Sequence, residues 1–332
     1  MLTAKDYKSD QYVRWCPGCG DHAVLNSLQK AMAEIGIPPH KIAVISGIGC
    51  SSRLPHYMST YGFNTIHGRG AAIASGVKVA NPDLTVWQCS GDGDCFAIGG
   101  NHFIHAVRRN VDVNLIVFNN RIYGLTKGQY SPTSPKGFVS KSSPFGTVER
   151  PFRPAELVMG ARGTFFARAM DVDLPTSNMV LKAAEAHKGY SVCEFLTTCV
   201  IFNAKNNDWI ATKEDRADRT IVLEHGKPMI FGKDRNKGLV LDGWNLKVVT
   251  IGENGVKESD ILVHDAHCED TTLHLKLALM EGPDMPIAMG VIRDVECETY
   301  DVAVTNQIHE VQEKAKYHTF DELIGSLEQW DM

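Results

Sequence analysis

Several features that place a protein in a familiar class are missing from this sequence. It has no block of Lys and Arg, and 34 basic residues against 39 acidic ones give a net charge of −5. A nucleic acid or an anionic membrane surface is therefore not an expected partner. Residues 1–6 lack the apolar core of a signal peptide, and no apolar run is long enough to span a bilayer. We therefore expect a cytoplasmic protein.

The sequence also has no internal repeat and no low-complexity segment. With 332 residues, the chain can bury a large core, either as one large domain or as two ordinary ones. A chain of this size does not need disulfides, and its nine cysteines are an odd number. In a reducing compartment, a spaced subset of cysteines more often binds a metal or a cluster, or takes part in catalysis.

The clearest pattern is a βαβ unit between residues 84 and 118. Leu84 to Cys89 and Val113 to Phe118 are apolar, β-rich runs that predict two strands, and the segment between them predicts a helix. The apolar face of this helix is formed by Ile98, Phe103, Ile104 and Val107. Such a unit belongs to a parallel sheet in an α/β fold, where ligands bind at the carboxyl ends of the strands.

Each strand of this unit is followed by a polar turn, Gly91-Asp92-Gly93 after the first and Asn119-Asn120 after the second. Glycines let the backbone approach a ligand, and the start of a helix attracts anions. Asp92, the Asn120 side chain and the Ile122 carbonyl supply oxygen ligands, which Mg²⁺ prefers in combination with ligand phosphate. The turns therefore predict a diphosphate that is bound through a divalent cation.

Gly-Asp-Gly alone is a weak signal, since many surface turns contain it. Here a predicted helix lies between it and Asn119-Asn120, and the 25 residues 94–118 separate the two motifs. This combination resembles the thiamine diphosphate motif, in which the two motifs lie a similar distance apart.

A pair of cysteines, Cys16 and Cys19, comes directly before a predicted helix for which Asp21 is a plausible N-cap. Three interpretations are open. A thioredoxin-like redox pair has this pattern, but the polar residues 8–14 do not form the buried strand that such a pair needs. The pair also suits structural zinc, and it suits an iron–sulfur cluster.

A second glycine-rich turn, residues 47–51, follows the predicted strand Ile42 to Ser46. It brings a third cysteine, Cys50, to the same edge as Asp92, and its backbone N–H groups and the Ser51 hydroxyl suit an anion. Residues 67–70 then precede a predicted helix of small residues, Ala71 to Ala80. We expect His67 to face the site because it lies between two candidate cofactor loops.

A polar loop punctuated by Gly and Pro follows the Asn119-Asn120 turn. Within it, Lys127 lies just beyond the predicted metal ligands and is a candidate to bind an anionic group of a substrate. Further on, Ser191 to Leu196 predicts another strand, with Cys193 inside it as a core residue. Cys199 lies beyond the end of that strand, again at the edge where ligands bind.

The chain is expected to divide at residue 204. Residues 1–204 would form the α/β domain, and residues 205–332, where the pattern weakens, would form an irregular C-terminal extension that packs on it. Residues 137–150 predict an irregular linker. The remaining predicted elements are helices at Pro154 to Gly160, Pro175 to His187 and Thr271 to Met280, and strands at Thr164 to Ala169, Leu246 to Ile251 and Met285 to Asp294.

As a set, these motifs resemble the β subunit of 2-oxoacid:ferredoxin oxidoreductases, over about the first 205 residues. The resemblance implies a parallel-sheet, diphosphate-binding type of thiamine diphosphate domain. It also implies reversible oxidative decarboxylation of a 2-oxoacid with coenzyme A to an acyl-CoA and carbon dioxide, with reduction of ferredoxin. The loop from Gly124 to Ser134 is more similar to members that act on 2-oxoglutarate, and pyruvate is the alternative substrate.

The implied cofactors are thiamine diphosphate, Mg²⁺ and one 4Fe–4S cluster. By the resemblance, Cys16, Cys19, Cys50 and Cys199 would be the cluster ligands, and Asp92, Asn120 and the Ile122 carbonyl would hold magnesium. Lys127 and His67 are the catalytic candidates. The residues implied to line the thiamine and substrate sites are Ile48, Gly49, Cys50, Ser51, His67, Gly68, Arg69, Gly70, Gly91, Gly93, Asp94, Gly124, Leu125, Thr126, Lys127, Gly128 and Gln129.

The sequence shows one diphosphate-binding half and no second α/β half to hold the aminopyrimidine ring. We therefore expect an alpha subunit that supplies the glutamate for this ring, in a dimer of heterodimers. Two other functions are open. One is a non-redox thiamine lyase whose four cysteines bind structural zinc, and the other is an electron-transfer module that has lost thiamine binding. The Asp92 and Asn120 pair argues against the second.

Overall fold

We describe a computed structural model of the chain, which covers residues 2–328 and residue 330. The strands are β1 (Ile42–Ser46), β2 (Tyr61–Asn64), β3 (Thr85–Gly91), β4 (Val113–Asn119), β5 (Phe165–Met170), β6 (Tyr190–Leu196), β7 (Thr220–Leu223), β8 (Ile230–Phe231), β9 (Lys237–Asp242), β10 (Asn245–Thr250) and β11 (Ile287–Asp294).

The helices are α1 (Asp21–Ile35), α2 (Gly70–Ala80), α3 (Asp92–Phe96), α4 (Gly100–Arg109), α5 (Pro154–Gly160), α6 (Leu174–Ala186), α7 (Asp208–Ala211), α8 (Lys213–Arg219), α9 (Thr272–Ala278), α10 (Tyr300–Glu313) and α11 (Phe320–Gly325). Short 3₁₀ helices lie at Ala4–Tyr7, Pro39–Lys41, Ser51–Tyr57 and Glu258–Asp260. Within the described part of the chain, no helix is both long and apolar enough to cross a membrane.

Eight strands form one sheet in the order β2-β1-β3-β4-β6-β5-β11-β7. The first six in this order run parallel to one another, whereas β11 is antiparallel to β5 and parallel to β7. The strands β8, β9 and β10 form a separate antiparallel sheet. The predicted α/β fold with a parallel sheet is confirmed.

The central strand β4 is buried along its whole length, and its side chains enter two cores. Val113, Leu115 and Val117 join a core that includes residues of α2 and α4. Ile116 and Phe118 point the other way and join a core that includes residues of α1 and α6. Successive side chains of a strand alternate between faces, so a continuous apolar run indicates a strand that helices cover on both sides.

The single helix predicted after the Gly-Asp-Gly turn is two helices, α3 and α4. Phe103 and Val107 are buried as predicted, but Ile98 and Ile104 are 59% and 39% exposed. The prediction that Ile98 and Ile104 belong to the buried face is therefore wrong.

The break between α3 and α4 has a local cause and a spatial one. Ala97 leaves the helical region with φ −87° and ψ −102°, and the glycines Gly99 and Gly100 that follow are poor helix formers. In addition, the loop before α2 approaches closely, since a Cβ on Gly68 would lie 2.5 Å from the Gly99 nitrogen. The two segments could not pack this closely with larger residues at both positions.

The residues beyond 204 pack on the same body as the rest. Two of their strands, β7 and β11, extend the main sheet. Leu239, Leu277 and Ile292 are buried in the core that also contains Phe103. The extension therefore packs on the core, and the division of the chain at residue 204 stays a prediction.

Candidate active site

The turns that follow β1, β3 and β4 meet at the carboxyl edge of the sheet, where they form a cleft of about 350 Å³. The residues predicted from the sequence that line this cleft are Ile48, Gly49, Cys50, Ser51, His67, Gly91, Asp92, Gly93, Asp94, Asn120, Ile122, Gly124, Leu125 and Thr126. The predicted residues that are not among its lining residues are Cys16, Cys19, Gly68, Arg69, Gly70, Lys127, Gly128, Gln129 and Cys199. The fold thus brings four predicted loops together around one cleft.

Asp94 joins three of these loops. Its carboxylate accepts hydrogen bonds from the Gly68 backbone N–H at 2.7 Å and from the Ser90 hydroxyl at 2.8 Å. A Cβ on Gly47 would lie 1.9 Å from Asp94 Oδ2, so the turn after β1 can approach only because residue 47 has no side chain. The glycines predicted to serve the ligand thus also let the loops pack against each other.

Asp92 is a buried carboxylate at the start of α3, with 1% of its surface exposed. Its Oδ2 accepts a 2.6 Å hydrogen bond from the Thr133 hydroxyl. Burial raises the pKa of Asp92 to about 6, partly offset by hydrogen bonds from Ser131 and Thr133. Among the described residues no basic side chain forms an ion pair with Asp92. A buried carboxylate is costly unless it is paired, so this position favours a bound cation.

Asn120 and Ile122 lie on the turn after β4 and line the same cleft as Asp92. The Asn120 Oδ1 accepts a 3.2 Å hydrogen bond from the Ile122 N–H, and the Asn120 carbonyl accepts one of 3.0 Å from Asn203. These bonds hold the turn in a compact form. The three residues predicted to supply oxygen ligands to magnesium therefore line one cleft, and their role as ligands stays a prediction.

Tyr123, which follows the turn after β4, lines the cleft and packs against the Gly-Asp-Gly turn. Tyr123 donates a 3.0 Å hydrogen bond to the Gly93 carbonyl. A Cβ on Gly93 would lie 2.3 Å from the Tyr123 ring. The second glycine of the motif is therefore needed for this contact with Tyr123, whether or not a ligand also approaches it.

The four cysteines predicted as ligands lie in one region of the structure, where Cys50 lines the cleft and the other three do not. A Cβ on Gly124 would lie 3.5 Å from Cys199 Sγ and 3.8 Å from Cys50 Sγ, so these two sulfurs flank the same backbone position. Burial raises the pKa of Cys50 to about 11, with Asp21, Cys199 and Cys16 contributing through their charges. Burial likewise raises the pKa of Cys19, with contributions from Asp21, Cys199 and Cys50.

Of the other five cysteines, Cys89, Cys95 and Cys193 are buried, and Cys268 and Cys297 are exposed. Cys193 is fully buried within β6, as predicted. As the side chains stand within the described residues, no three from His, Cys, Asp and Glu are close enough together to hold a metal ion. The structure therefore gathers the four cysteines in one region without forming a finished metal site.

The two predicted catalytic residues, His67 and Lys127, differ in their position relative to the cleft. His67 is exposed and lines the cleft. Lys127 is exposed, has a φ of 81° and is not among the residues that line the cleft. Its backbone N–H donates a 3.1 Å hydrogen bond to the Gly124 carbonyl, which keeps it on the loop at the rim. The roles of both residues stay predictions.

The sequence pattern did not identify several residues of the cleft, among them Asp21, Phe118 and Tyr123. Asp21 was predicted as an N-cap, which is wrong, because Gly20 holds that position and Asp21 is the first helical residue. Asp21 is 1% exposed, and burial raises its pKa to about 7. No sequence signal separates such a residue from an ordinary acidic residue in a first helical turn.

Two serines after Cys50 have hydroxyls without partners. Within the described residues, the Oγ atoms of Ser51 and Ser52 are buried and make no hydrogen bond. Leaving a buried hydroxyl unpaired costs about 1–3 kcal/mol. Because Ser51 lines the cleft, its hydroxyl is available to a bound polar group.

Comparison with known proteins gives the family. A family model described as "Thiamine pyrophosphate enzyme, C-terminal TPP binding domain" matches residues 47–195. The chain is 44% identical, over 66% of its length and 67% of the relative's, to 2-oxoacid:ferredoxin oxidoreductase 1, subunit beta, of Aeropyrum pernix. It is 46% identical, over 92% of its length and 81% of the relative's, to 2-oxoglutarate oxidoreductase subunit KorB of Mycobacterium tuberculosis. The chain belongs to the 2-oxoacid:ferredoxin oxidoreductase beta-subunit family.

A solved structure supports the same assignment for this beta subunit. The 2-oxoglutarate:ferredoxin oxidoreductase from Magnetococcus marinus, with 2-oxoglutarate, coenzyme A and succinyl-CoA bound, aligns with a TM-score of 0.77 at 32% identity. The alignment covers 99% of this chain and 96% of that one. The predicted family and the thiamine diphosphate domain are confirmed, and the beta subunit is part of an oxidoreductase.

Proposed function

We propose that this beta subunit carries the active site of a 2-oxoglutarate:ferredoxin oxidoreductase. The reaction joins 2-oxoglutarate and coenzyme A to give succinyl-CoA and carbon dioxide, passes two electrons to ferredoxin and is reversible. The observation that carries the proposal is the cleft itself, because it combines Asp92, Asn120 and Ile122 with the loop of Cys50. The relative that covers most of this chain is named for 2-oxoglutarate, which supports this acid over other 2-oxoacids.

The cleft residues fit magnesium and a diphosphate. Asp92 offers a buried carboxylate without a basic partner among the described residues, and Asn120 and the Ile122 carbonyl would complete the protein's oxygen donors. The Ser51 hydroxyl, buried and unpaired among the described residues, suits a phosphate or another polar group of the cofactor. When bound, thiamine diphosphate supplies the electron sink that decarboxylation of a 2-oxoacid requires.

The four cysteines fit an iron–sulfur cluster. Cys16, Cys19, Cys50 and Cys199 form a set of four thiols, the usual ligand set of a 4Fe–4S cluster. Cys50 and Cys199 already flank Gly124, and Cys16 and Cys19 lie on the turn directly before α1. Decarboxylation releases an electron pair and ferredoxin accepts electrons singly, so a one-electron carrier beside the cleft resolves the difference.

Several side chains of the cleft would act mainly by holding its loops in position. Asp94 keeps the loop of Gly68 against the Gly-Asp-Gly turn, and Tyr123 packs over Gly93. His67, at the exposed rim, is placed to contact a bound substrate. Lys127 would bind the distal carboxylate of 2-oxoglutarate, since it is exposed and directly follows Thr126, which lines the cleft.

The site requires a partner. An alpha subunit would supply the glutamate that activates the aminopyrimidine ring, and two such heterodimers would pair in the cytoplasm. The names of the relatives as beta subunits support a partner subunit. The remaining alternative is pyruvate as the substrate, because membership of an oxidoreductase family argues against the non-redox thiamine lyase with zinc at the four cysteines.

One experiment tests the proposal. The beta subunit would be purified anaerobically with its partner, and CoA-dependent reduction of a viologen dye would be measured with 2-oxoglutarate and with pyruvate. We expect a strong preference for 2-oxoglutarate, and a preference for pyruvate would overturn the substrate assignment. Metal analysis of the same sample tests the proposed cluster, because a 4Fe–4S cluster gives iron and a brown colour whereas zinc at the four cysteines would leave the protein colourless.

A further inference from the structure

A chain of buried polar side chains leads from the core of the protein to Asp92. Its members are 1–7% exposed, and they are Arg168, Glu194, Asn119, Thr133 and Asp92. Arg168 Nε donates to Glu194 Oε2 at 2.7 Å, and Asn119 Nδ2 donates to Glu194 Oε1 at 2.7 Å. The Thr133 hydroxyl lies 2.9 Å from Asn119 Oδ1 and 2.6 Å from Asp92 Oδ2.

The far end of this chain is anchored in the C-terminal third of the sequence. The Arg168 guanidinium donates to the Ala278 carbonyl at the end of α9 and to the Ala288 carbonyl in β11, each at 3.2 Å. A guanidinium with several donors in fixed geometry cannot rotate without losing these bonds together. Glu194 is therefore held between Arg168 and Asn119, with both of its oxygens engaged.

The orientation of Asn119 follows from its two neighbours. Its Nδ2 faces the Glu194 carboxylate, which can only accept, so its Oδ1 must face the Thr133 hydroxyl. The hydroxyl has one hydrogen, and three oxygens lie within hydrogen-bond distance of it: Asp92 Oδ2, Asn119 Oδ1 and, at 3.2 Å, Ser131 Oγ. A bond to an ionised carboxylate is the strongest one, and the distance to Asp92 is also the shortest.

We propose that Thr133 is a positioning residue for the cation-binding carboxylate of Asp92. Its hydroxyl donates to Oδ2 and fixes the rotation of the carboxylate, so that the other oxygen is left for the metal. Asn119, which Glu194 and Arg168 hold in place, lies against the Thr133 hydroxyl with its Oδ1 at 2.9 Å. The contacts of Arg168 with Ala278 and Ala288 extend this buried polar cluster to the C-terminal third of the protein, and the inference rests on the magnesium and thiamine diphosphate function proposed above.

The loop that contains Thr133 offers a matched control. Thr147 lies in the same irregular segment, is 7% exposed and donates a 2.8 Å hydrogen bond to the Pro135 carbonyl. It makes no hydrogen bond to Asp92. Thr147→Val therefore removes a buried hydroxyl of similar cost to stability, without touching the proposed metal ligand.

The test measures cofactor retention and does not depend on turnover. The full-length beta subunit, purified with its partner and freed of metal, would be mixed with thiamine diphosphate at increasing Mg²⁺, and retained cofactor would be determined after gel filtration by thiochrome fluorescence. Thr133→Val should require about tenfold to hundredfold more Mg²⁺ for half-retention, as is typical when a partner of a metal ligand is removed. Thr133→Ser should restore retention, and Thr147→Val should match the wild type.

The possible outcomes distinguish the positioning role of Thr133 from the proposed cofactor site itself. Wild-type Mg²⁺ dependence in a folded Thr133→Val protein would overturn the role of Thr133 and leave the proposed cofactor site intact. If the wild type retained no thiamine diphosphate at any Mg²⁺ concentration, the proposed site itself would be refuted, and this inference with it. If Thr133→Val did not fold by circular dichroism, Thr133→Ala would be measured instead, with the same expected shift.

Discussion

The backbone N–H of Gly68 donates a 2.7 Å hydrogen bond to Asp94 Oδ1, which ties the loop before α2 to the turn after β3. The two residues are 26 positions apart in the chain. A carboxylate that accepts a backbone N–H is a strong acceptor, and 7% exposure keeps water from competing for it. The position of His67 at the cleft therefore depends on Asp94, as does the packing of Gly47.

Replacing Asp92 tests the proposed metal site directly. We expect Asp92→Ala, measured with the partner subunit present, to lose retention of thiamine diphosphate while circular dichroism shows an intact fold. The reason is that the cation would lose its buried carboxylate. Asp83→Ala is the control, because Asp83 is exposed in the turn before β3, at the opposite end of that strand. Such a surface change alters stability by under about 0.5 kcal/mol. Normal cofactor content in folded Asp92→Ala would reject the assignment.

The fourth cluster ligand can be identified by comparing two cysteines on neighbouring parts of the chain. Cys199→Ala should lose or degrade the cluster, since Cys199 Sγ lies beside Gly124 together with Cys50 Sγ. Cys193→Ala should keep it, because Cys193 is fully buried in β6. Iron content and the broad visible absorbance of anaerobically purified protein would be measured for both. Loss of the cluster in Cys193→Ala and its retention in Cys199→Ala would instead identify Cys193 as the fourth ligand.

A third prediction concerns the packing of the turns. In Gly47→Ala the added Cβ would lie 1.9 Å from Asp94 Oδ2 and 2.9 Å from Ser90 Oγ, so we expect a loss of about 1–3 kcal/mol in the free energy of unfolding. Gly76→Ala is the matched control, since Gly76 is exposed within α2 and a Cβ there would meet nothing within 4 Å. That change should stabilise the protein by about 0.5–1 kcal/mol. The free energy of unfolding of both variants would be measured by urea unfolding. A Gly47→Ala protein as stable as the wild type would contradict the close contact of Gly47 with Asp94.

Stability should fall in mild acid because of His264. This side chain is 1% exposed, and burial lowers its pKa to about 4. Its Nε2 donates to the Val291 carbonyl, whereas its Nδ1 has no partner among the described residues. Above the unfolded pKa of about 6.5 both states are neutral, so the stability is fully present there.

As the pH falls below 6.5, the unfolded chain takes up the proton first, and stability is lost progressively until the pH reaches the folded pKa. At one pKa unit per 1.36 kcal/mol, the loss from this residue would be about 2 kcal/mol at pH 5. Urea unfolding at pH 7 and pH 5 would be compared for the wild type and His264→Gln. The variant should lose less stability over this interval, and an equal loss in both would show that His264 does not cause it.

The last prediction is that this chain does not work alone. Purified without a partner and supplied with iron, sulfide, magnesium and thiamine diphosphate, it should show no CoA-dependent reduction of a viologen by 2-oxoglutarate. Adding the partner subunit should restore turnover, since the active site would lie between the subunits. Robust turnover by the lone chain would show that it contains a pyrimidine-binding half of its own.

Several parts of the site could be predicted from the sequence because their signals are local. The apolar runs of β3 and β4, the glycine-rich turns after β1 and β3, and the Asn119-Asn120 turn each depend on residues that are neighbours in the chain. Since parallel strands end at the same edge of a sheet, recognising the strands was enough to place Asp92 and Asn120 in one cleft. The helix after β3 was only partly predicted, because its break has both a local cause, at Ala97 and the glycines after it, and a spatial one, the close approach of the distant Gly68.

The sequence by itself determined the fold class, the glycine-rich turns at the carboxyl edge of the sheet and the cysteines near them, since periodicity and turn chemistry act over a few residues. Only the tertiary structure decided that β7 and β11 complete the sheet, that Asp21 lines the cleft and that Thr133 contacts Asp92. These contacts join residues far apart in the chain, with 41 positions between Asp92 and Thr133 and 110 between Arg168 and Ala278. No local pattern records them, because their energy exists only once the packed core has excluded water and brought the partners together.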